Sequence, residues 1–567
     1  MSERAEAPSG AARRSLHALL ALGVLARLAL AGRDLPYYSV DENEIVEQAA
    51  IFLAGDLCPS FYSYGPLVSY LLAGLYALGW GLMGLLAGWD RSDVIYRVVF
   101  EPTPFYAVAR LLHAAADVAA VVLAARFGAR VFGPVAGWAV LGLGAAPLLS
   151  LNSDFTIRND TFQGLLALLA LALAGRAERA PGRAAALAGA AAGLSLAVKP
   201  LQGLLLLPAL FVGIGAPPAP EWQRAGWRAL AARAVPLLIL GVTLAASQAL
   251  ANPCSVGEAG RFWRENAAWI DRESPSTGPG WHFGWWIDLA GWPLALFAAA
   301  ALAAAFGLVR RPPARVLLVY VVTVLGAYAF VGVRPYWYNA VLPAVLVLAG
   351  GLVARLARGL SRRRGWRAAD AAIAIGVLLA APALVAAVGE AWRSWSPRPS
   401  IERRPDRAAE LWIEERIPSG SRLLVVGRHA LGTPRLVAET PKAHGAWADH
   451  FMYGRGASRT WNEAFRTAYR RHRHSGASLY WITNVRRDYT DRWEDPVVVE
   501  RMHEALPALA RGAGARYVVT SSSSDFTGRW ESSSDVRLLA SFGSEPGART
   551  ARQVKVFELL PPAPGAE

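Results

Sequence analysis

The sequence predicts a polytopic α-helical membrane protein that ends in a small α/β domain outside the membrane. Of its 567 residues, 54% are hydrophobic and only 18% are charged, and the mean hydropathy is +0.28. About ten or eleven apolar segments lie between residues 15 and 389, each close to the roughly 17–25 residues that cross a bilayer. From about residue 400 the apolar runs shorten to strand length. We therefore expect a membrane domain over 1–395 and a soluble domain over 396–567.

The first apolar segment, residues 15–32, follows Arg13 and Arg14. Signal peptides share this pattern, but Arg27 interrupts the apolar region and many further segments follow, so we interpret it as a transmembrane helix. Basic residues before a first helix keep the N-terminus in the cytoplasm. The chain that follows, residues 33–104, is then expected to form an acidic first external loop.

Short basic loops between the apolar segments explain the formal net charge of +15, so the charge does not predict nucleic-acid binding. The positive-inside rule places such loops in the cytoplasm. They are RFGAR (126–130), GRAERAPGR (175–183), EWQRAGWRALAAR (221–233), RRPPAR (310–315) and RLARGLSRRRGWR (355–367). Counting crossings from these loops puts Asp160, Lys199 and Arg334 on the external face. The C-terminal domain is then periplasmic or extracellular, and the protein is expected in the cytoplasmic (inner) membrane.

The apolar run at 62–89 is the exception in this count. A single crossing there would put Arg126 and Arg130 outside, and every later basic loop would also change to the opposite side of the membrane. We therefore expect a re-entrant or interfacial hairpin, broken near Gly79 and Gly84. Irregular backbone at membrane depth is tolerated only where protein buries it or where it lines a cavity, so this segment is expected to border a site.

The chain has two cysteines, Cys58 and Cys254. Both lie on the external side of the expected topology, where oxidising conditions permit a disulfide. Two residues far apart in sequence do not establish a bond, so the sequence leaves their pairing open.

Short apolar runs identify the strands of the C-terminal domain. They are RLLVVG (422–427), LYWIT (479–483), RYVVTS (516–521), VRLLASF (536–542) and QVKVFEL (553–559). Helical spacing over 407–417 and 497–514 favours an α/β domain. His472 and His474 lie in a basic run without carboxylate or thiol ligands at suitable spacing, so we do not interpret them as a metal site.

The stretch SVDENEIVEQAA (39–50) places four carboxylates just beyond the first transmembrane helix. A helix start explains part of this pattern. Ser39 and Glu42 form a capping-box pair, and Asp41 and Glu42 in a first turn complement the helix dipole. So many acidic groups beside a lipid headgroup layer are costly, however, and ionisable groups at such positions indicate function by default.

Further ionisable residues fall on the same expected face: Arg110, Asp154, Arg158, Asp160, Lys199 and Arg334. Singly, each has a structural explanation. Lys199 and Arg334 fit snorkelling anchors, Asp160 fits a helix N-cap, and Arg110 could pair with Asp117 or with a lipid phosphate. Together they favour a reaction that combines a base with an anionic, lipid-borne leaving group. A carboxylate accepts the proton of an attacking hydroxyl or amine, and Lys or Arg neutralises a departing phosphate.

In their order along the chain, these motifs resemble membrane glycosyltransferases of the GT-C fold. Within them the chain is most similar to the family-39 group, which includes protein O-mannosyltransferases and the lipid A aminoarabinose transferase. The matching positions are Asp41–Glu42, Gly55–Asp56, Pro66, Arg110–Leu111, RND (158–160), VKP (198–200) and RPYWYNAVLPAVLVLAG (334–350). The resemblance covers residues 15–390. It departs at Asn43 and Glu44, where the family has aromatic and basic residues, and at Pro200, where it has glycine, which leaves sugar and acceptor open.

The resemblance implies a GT-C-like domain of about 11–13 transmembrane helices and an inverting hexosyl or pentosyl transfer. The donor would be a sugar on polyprenyl phosphate and the acceptor a lipid, glycan or protein. A lipid phosphate is already activated, which agrees with the lack of a Walker or Rossmann motif. The sequence establishes no cofactor and leaves metal dependence open, because Asp41 and Asp160 could share a divalent cation.

The roles that follow from the resemblance form one hypothesis. Asp41 is the general base or orients the acceptor, Glu42 supports it, and Asp160 orients the acceptor or the first loop. Lys199 and Arg334 hold the donor phosphate. The remaining candidates are Arg158 and Arg110 at the phosphate and Tyr336 or Tyr338 near the sugar.

Two interpretations from other classes stay open. A transporter or lipid flippase would carry charges in mid-span and inverted repeats; His113, Asp117 and Lys199 fit it, although no repeat is evident. A membrane-anchored scaffold would act through the external domain and would leave the charges of the first loops unexplained. In the external loop 252–287, the tryptophans of GPGWHFGWW fit closure over a sugar or an interfacial aromatic belt, and we interpret His282 as structural.

Overall fold

The computed structural model shows a largely helical chain that ends in a mixed β-sheet. It describes residues 7–32, 40–53, 55, 57–58, 65–90, 93–94, 97, 103–152, 156–177, 180–215, 219–264, 266, 312–328, 335–395, 405–418, 421–426, 478–481, 511, 515–522, 534–543 and 553–561. The chain divides into two compact units. The first is Met1–Arg33, Phe61–Leu72 and Ala107–Trp395, and the second is Asp34–Ser60, Ala73–Tyr106 and Ser396–Glu567. The second unit combines parts of the first loop with the C-terminal residues. This division therefore does not test the predicted boundary between 395 and 396, which stays a prediction.

Seven helices of the described chain are long and apolar enough to cross a membrane, which confirms the predicted multi-pass fold. The helices are α1 (Gly10–Ala31), α2 (Val40–Leu53), α3 (Leu67–Ala87), α4 (Thr103–Phe132), α5 (Pro134–Leu143), α6 (Leu148–Asn152), α7 (Asn159–Ala174), α8 (Pro181–Val198), α9 (Pro200–Leu204), α10 (Leu207–Gly215), α11 (Ala219–Ala251), α12 (Cys254–Gly257), α13 (Pro312–Tyr328), α14 (Leu342–Arg364), α15 (Ala368–Trp395) and α16 (Pro405–Arg416). A 3-10 helix, Pro335–Ala340, precedes α14. Cys58 and Cys254 are both disulfide-bonded.

A buried ion pair joins three segments of the first unit. Arg27 Nε donates to Asp117 Oδ2 at 3.0 Å, and Arg27 Nη2 donates to the Ala146 carbonyl at 3.1 Å. The Ser150 hydroxyl donates to the same carboxylate oxygen at 2.6 Å. The arginine that interrupts the first apolar run is therefore neutralised inside the bundle, as a charge at membrane depth requires. Asp117, which was one candidate partner of Arg110, thus pairs with Arg27.

Within the run at 62–89, residues 67–87 form one helix without a break. Helix α3 is continuous over Leu67–Ala87, so the predicted hairpin broken near Gly79 and Gly84 is wrong. A glycine inside a helix costs only about 1 kcal/mol relative to alanine, whereas a break in apolar surroundings leaves backbone groups without partners. The Tyr76 hydroxyl donates to the Phe105 carbonyl at 2.7 Å and so ties α3 to the start of α4.

Helices α8 and α11 pack closely through small residues. A Cβ added at Gly189 would lie 2.2 Å from Thr243 Oγ1, and one at Gly193 would lie 2.0 Å from Ser247 Oγ. The Ser247 hydroxyl donates across the interface to the Ala190 carbonyl at 3.0 Å. Between apolar helices in lipid, van der Waals contact and such hydrogen bonds supply the association energy, and glycines four residues apart allow the close approach.

The described part of the C-terminal domain contains a five-stranded sheet with the order β2-β1-β3-β5-β4. The strands are β1 (Arg422–Val426), β2 (Ser478–Trp481), β3 (Tyr517–Ser522), β4 (Val536–Phe542) and β5 (Gln553–Leu559). Strand β1 is parallel to β2 and β3, while β5 is antiparallel to β3 and β4. Ala409 and Ile413 of α16 pack on Val519 and Val556.

The predicted strands and the predicted helix at 407–417 are therefore confirmed. The predicted helix at 497–514 lies outside the described residues except at Arg511, and so do His472, His474 and His282.

An arginine pair flanks one carboxylate of this sheet. Glu558 of β5 accepts a hydrogen bond from Arg516 Nη2 at 2.9 Å and another from Arg537 of the neighbouring β4. The hydrogen bonds from Arg516 and then from Arg537 hold the pKa of Glu558 below the usual range of a carboxyl. The strand register explains the contact, because Arg537 lies directly opposite Glu558.

We predict that Gly193→Ala lowers the midpoint of thermal unfolding of the full-length protein. The new methyl group would overlap Ser247 Oγ and lie 2.2 Å from the Leu244 carbonyl oxygen, and overpacking of this kind costs about 1–3 kcal/mol. Gly241→Ala in α11 is the matched control, because nothing lies within 4 Å of its Cβ position. There the alanine should be neutral or stabilising. Equal midpoints for the two variants would contradict the close packing of α8 and α11.

We predict that Glu558→Gln destabilises the C-terminal domain at pH 7 and that this effect becomes smaller as the pH falls below about 4. A carboxyl with a lowered folded pKa contributes its full stability above the unfolded pKa, about 4.3. That contribution is lost as pH falls through the lower folded value. Urea unfolding of the full-length protein, followed by limited proteolysis of this domain, measures the difference at pH 7 and near pH 3. A loss of stability that is as large near pH 3 as at pH 7 would argue against the assignment.

Candidate active site

Asp160 and Lys199 form a buried ion pair in the first unit. Lys199 Nζ donates to Asp160 Oδ1 at 2.7 Å, and Gln202 Nε2 donates to the same oxygen at 3.0 Å. Asp160 is 1% exposed and Lys199 is 3% exposed. Two residues that were predicted as separate members of a site, one in a loop and one after a span, are therefore in direct contact.

The local sequence explains how the two charges meet. Lys199 has extended backbone angles, φ −153° and ψ 98°, between α8 and α9. Pro200 follows it, and a residue before proline is pushed out of the helical region. Helix α8 therefore ends at Val198, and Lys199 lies at the break between two helices. Asp160 lies in the first turn of α7, where the helix dipole favours a carboxylate.

Aromatic rings cover the ion pair. Lys199 Nζ lies 4.6 Å from the centre of the Trp337 ring, within the range of a cation–π contact. The Tyr328 hydroxyl donates to the Trp337 carbonyl at 3.1 Å, and the Tyr328 ring packs edge-on against Tyr338 at 5.6 Å. Tyr338, which was predicted to lie near the sugar, thus packs with Tyr328 in the group of aromatic rings that includes Trp337.

A second polar network holds the start of α7. Asn339 Nδ2 donates to Thr161 Oγ1 at 3.1 Å and to the Leu149 carbonyl at 2.9 Å. His113 Nδ1 accepts the backbone N–H of Arg158 at 3.3 Å, and His113 Nε2 lies 3.5 Å from Thr161 Oγ1. A neutral imidazole that accepts at Nδ1 carries its proton on Nε2, so it donates to the Thr161 hydroxyl.

Sequence reasoning did not place His113 or Asn339 in the site. For His113 a signal existed, because it follows Arg110 by three positions on one helix and therefore shares its face. Asn339 lies within the RPYWYNAVLPAVLVLAG motif, but a neutral side chain gave no reason to select it. Both residues are buried and both position the segment that carries Asp160.

One residue of the first loop contacts the backbone beside this site. The backbone N–H of Gly65 donates to the Val198 carbonyl at 3.0 Å, one residue before Lys199. A Cβ added at Gly65 would lie 1.9 Å from the Ala197 carbonyl oxygen. Only glycine therefore permits this approach of the backbone to the break after α8.

Three buried oxygens around the ion pair have no hydrogen-bond donor in the described part of the chain. They are Asp160 Oδ2, Gln202 Oε1 and Asn159 Oδ1. Each unsatisfied polar atom costs about 1–3 kcal/mol, so water or a ligand with several donors would stabilise the site. Sugar hydroxyls are ligands of this kind. Among the described residues, no group of three or more His, Cys, Asp or Glu side chains could hold a metal ion.

The other predicted site residues are distributed as follows. Glu42 is fully buried within the second unit. Asp41 lies in the first turn of α2, but its side chain is outside the described residues, as are the side chains of Arg334 and Tyr336.

Arg158 and Arg110 are both buried, so they do not snorkel to a lipid surface. Arg158 is the N-cap residue of α7 and donates from Nε to Thr156 Oγ1 at 3.1 Å. Arg110 lies on α4, one turn before His113. Their predicted role at the donor phosphate stays a prediction.

This architecture defines a multi-pass membrane protein of the GT-C fold. ArnT from Cupriavidus metallidurans, solved bound to undecaprenyl phosphate, is similar with a TM-score of 0.50 and 15% identity over 95% of this chain and 97% of that one. The GT-C fold predicted from the order of the motifs is thereby confirmed.

Two further solved structures are less similar. ArnT from the same organism in the apo state gives a TM-score of 0.48 at 15% identity over 96% of this chain and 98% of that one. The oligosaccharyltransferase from Archaeoglobus fulgidus, in complex with Zn and sulfate, gives 0.41 at 14% identity over 89% and 68%. No family model and no curated protein matches the sequence.

We predict that Asp160→Asn and Lys199→Met each destabilise the protein by about 3–5 kcal/mol, because each leaves a buried charge without its partner. The double variant should be less destabilised than the sum of the two, since it removes both charges. Thermal unfolding of the full-length protein, followed by tryptophan fluorescence, measures all three.

Glu258→Gln is the matched control, because it removes one partner of the Arg261–Glu258 pair, whose side chains are 36% and 41% exposed. An exposed pair of this kind contributes less than about 1 kcal/mol. Strictly additive effects of the Asp160 and Lys199 substitutions would show that the two charges do not stabilise each other.

Proposed function

We propose that the protein is an integral membrane glycosyltransferase that moves a sugar from a polyprenyl-phosphate donor to an acceptor outside the cytoplasm. The observation that carries this proposal is the buried Asp160–Lys199 pair, with unsatisfied acceptor oxygens around it, in a GT-C fold. A carboxylate and an ammonium in one buried place supply the two charges that transfer from a lipid phosphate needs. The similar ArnT binds undecaprenyl phosphate, and we extend that class of ligand to this chain.

The proposed reaction is a single displacement with inversion at the anomeric carbon. Asp41, supported by Glu42, takes the proton from an acceptor hydroxyl or amine as its oxygen or nitrogen attacks that carbon. The bond between the anomeric carbon and the phosphate oxygen breaks, and its electron pair leaves with the polyprenyl phosphate. The sugar, hexose or pentose, is then bonded to the lipid, glycan or protein acceptor.

Lys199 is proposed to stabilise the leaving phosphate. An ammonium has three N–H donors, so its hydrogen bond to Asp160 Oδ1 leaves capacity for a phosphate oxygen. Asp160 fixes the position of Lys199 with one oxygen and orients a hydroxyl of the acceptor or sugar with the other. The further candidates keep their proposed roles: Arg334, Arg158 and Arg110 at the phosphate, and Tyr336 and Tyr338 beside the sugar.

We place this chemistry on the external face. The contact of Gly65, a residue of the first loop, with Val198 supports placing Lys199 and Asp160 on the same face as that loop. An even number of crossings must then separate Gly65 from Asp160. The basic N-terminus keeps the opposite face cytoplasmic.

We predict that cells that lack the gene lose one glycosylated lipid, glycan or protein, and that wild type restores it while Asp41→Asn does not. The amide cannot accept the acceptor's proton, yet it keeps the shape of the side chain, so the protein should still insert. Mass spectrometry of membrane lipids and envelope glycans measures the product and identifies sugar and acceptor together. Glu258→Gln, an exposed carboxylate change in the first unit, should restore the product fully.

Full restoration by Asp41→Asn would refute the role of Asp41 as base. An unchanged set of glycosylated species, with a lipid-linked precursor redistributed between the two leaflets, would instead identify a flippase.

A further inference from the structure

A cavity of about 450 Å³ lies at the opposite end of helix α7 from Asp160 and is bordered by three arginines. They are Arg130, Arg176 and Arg183, and the apolar lining includes Leu173 and Leu187. Helix α7 has 16 residues, which at 1.5 Å per residue is about 24 Å. The cavity is therefore separate from the candidate active site.

The three arginines come from three segments that the fold brings together. Arg130 lies in the last turn of α4, Arg176 follows the end of α7, and Arg183 is the third residue of α8. A run of basic residues in one loop accounts for Arg176 and Arg183, but the convergence of Arg130 from another helix requires the bundle. The arginines thus form one concave site and are not a scattered basic surface.

The electrostatics of the cavity favour an anion. Neither Arg176 nor Arg183 has a carboxylate partner in the described chain. The N-cap of α8, Ala180, has no side-chain hydrogen bond to the helix, and Pro181 begins it, so the first-turn amides add positive potential. Arginine also binds phosphate oxygens through two parallel hydrogen bonds.

The apolar lining indicates that the anion belongs to a lipid. Leu173 lies one turn of α7 before Arg176, and Leu187 lies one turn of α8 beyond Arg183. Leu187 is 43% exposed. Both leucines are thus displaced from the arginines toward the apolar middle of the bundle. Basic groups with leucines one turn deeper match the order of headgroup and acyl chain at a bilayer boundary.

We propose that this cavity binds the phosphate headgroup of an anionic phospholipid, in the leaflet opposite to the Asp160–Lys199 pair. The headgroup phosphate is held by Arg130, Arg176 and Arg183, and the start of its acyl chains lies along Leu173 and Leu187. The site is independent of the proposed transfer reaction, because it uses none of the residues assigned to that reaction.

Native mass spectrometry of the full-length protein in detergent, titrated with phosphatidylglycerol, tests this site. Arg176→Gln combined with Arg183→Gln should weaken the tightest binding step about tenfold. Arg362→Gln combined with Arg363→Gln removes the same charge from the last turn of α14, outside the cavity, and should leave that step unchanged. Phosphatidylcholine, which has no net charge, should bind weakly to all forms.

Two further measurements separate the possible causes of a loss of phosphatidylglycerol binding. Arg176→Lys combined with Arg183→Lys keeps the charge and should retain most of the affinity, which separates loss of charge from loss of fold. Inorganic phosphate at millimolar concentration should not displace phosphatidylglycerol. Unchanged binding in the glutamine variant, an equal loss in the α14 control, or displacement by inorganic phosphate alone would each overturn the proposal.

Discussion

The pairing of buried charges is the constraint on which the membrane domain depends. Lys199 meets Asp160 across 39 positions of sequence, and Arg27 meets Asp117 across 90. An unpaired charge in such surroundings costs several kcal/mol. The segments that carry these residues can therefore pack stably only in an arrangement in which the partners meet. One pair fixes α1 against α4, and the other fixes the start of α7 against the break after α8.

In the proposed reaction, the pairing also determines how Lys199 would meet a phosphate. With Asp160 beside it, Lys199 belongs to a locally neutral group that is held rigidly below the Trp337 ring. A lone lysine would attract a phosphate more strongly but would have no fixed direction. Preorganised charges lower the cost of reorganisation when charge develops on a leaving group.

The sequence was sufficient to predict those elements whose structure follows from local patterns. The strands of the C-terminal domain were found because run length and flanking residues are local, and the charged residues beside apolar spans pointed to Asp160 and Lys199. It was insufficient where structure depends on neighbours. That Lys199 pairs with Asp160, and Arg27 with Asp117, follows from the arrangement of the bundle. The hairpin predicted within 62–89 failed because it was inferred from the count of crossings and its break was placed at two glycines, whereas the backbone in lipid keeps its hydrogen bonds by remaining helical.

The contacts of Asn339 determine when the site can form while the chain is being synthesised. Its side chain bonds Leu149 and Thr161, which precede it by 190 and 178 residues. At translation speeds of about 5–20 residues per second, the ribosome needs roughly 10–40 s after making Leu149 to reach Asn339. By the end of that time α1 to α13 have been made, but the start of α7 still lacks the amide that holds it. A nascent chain can therefore acquire most of its spans well before it acquires a site, and the final polar contact forms only when the chain up to the 3-10 helix has been added.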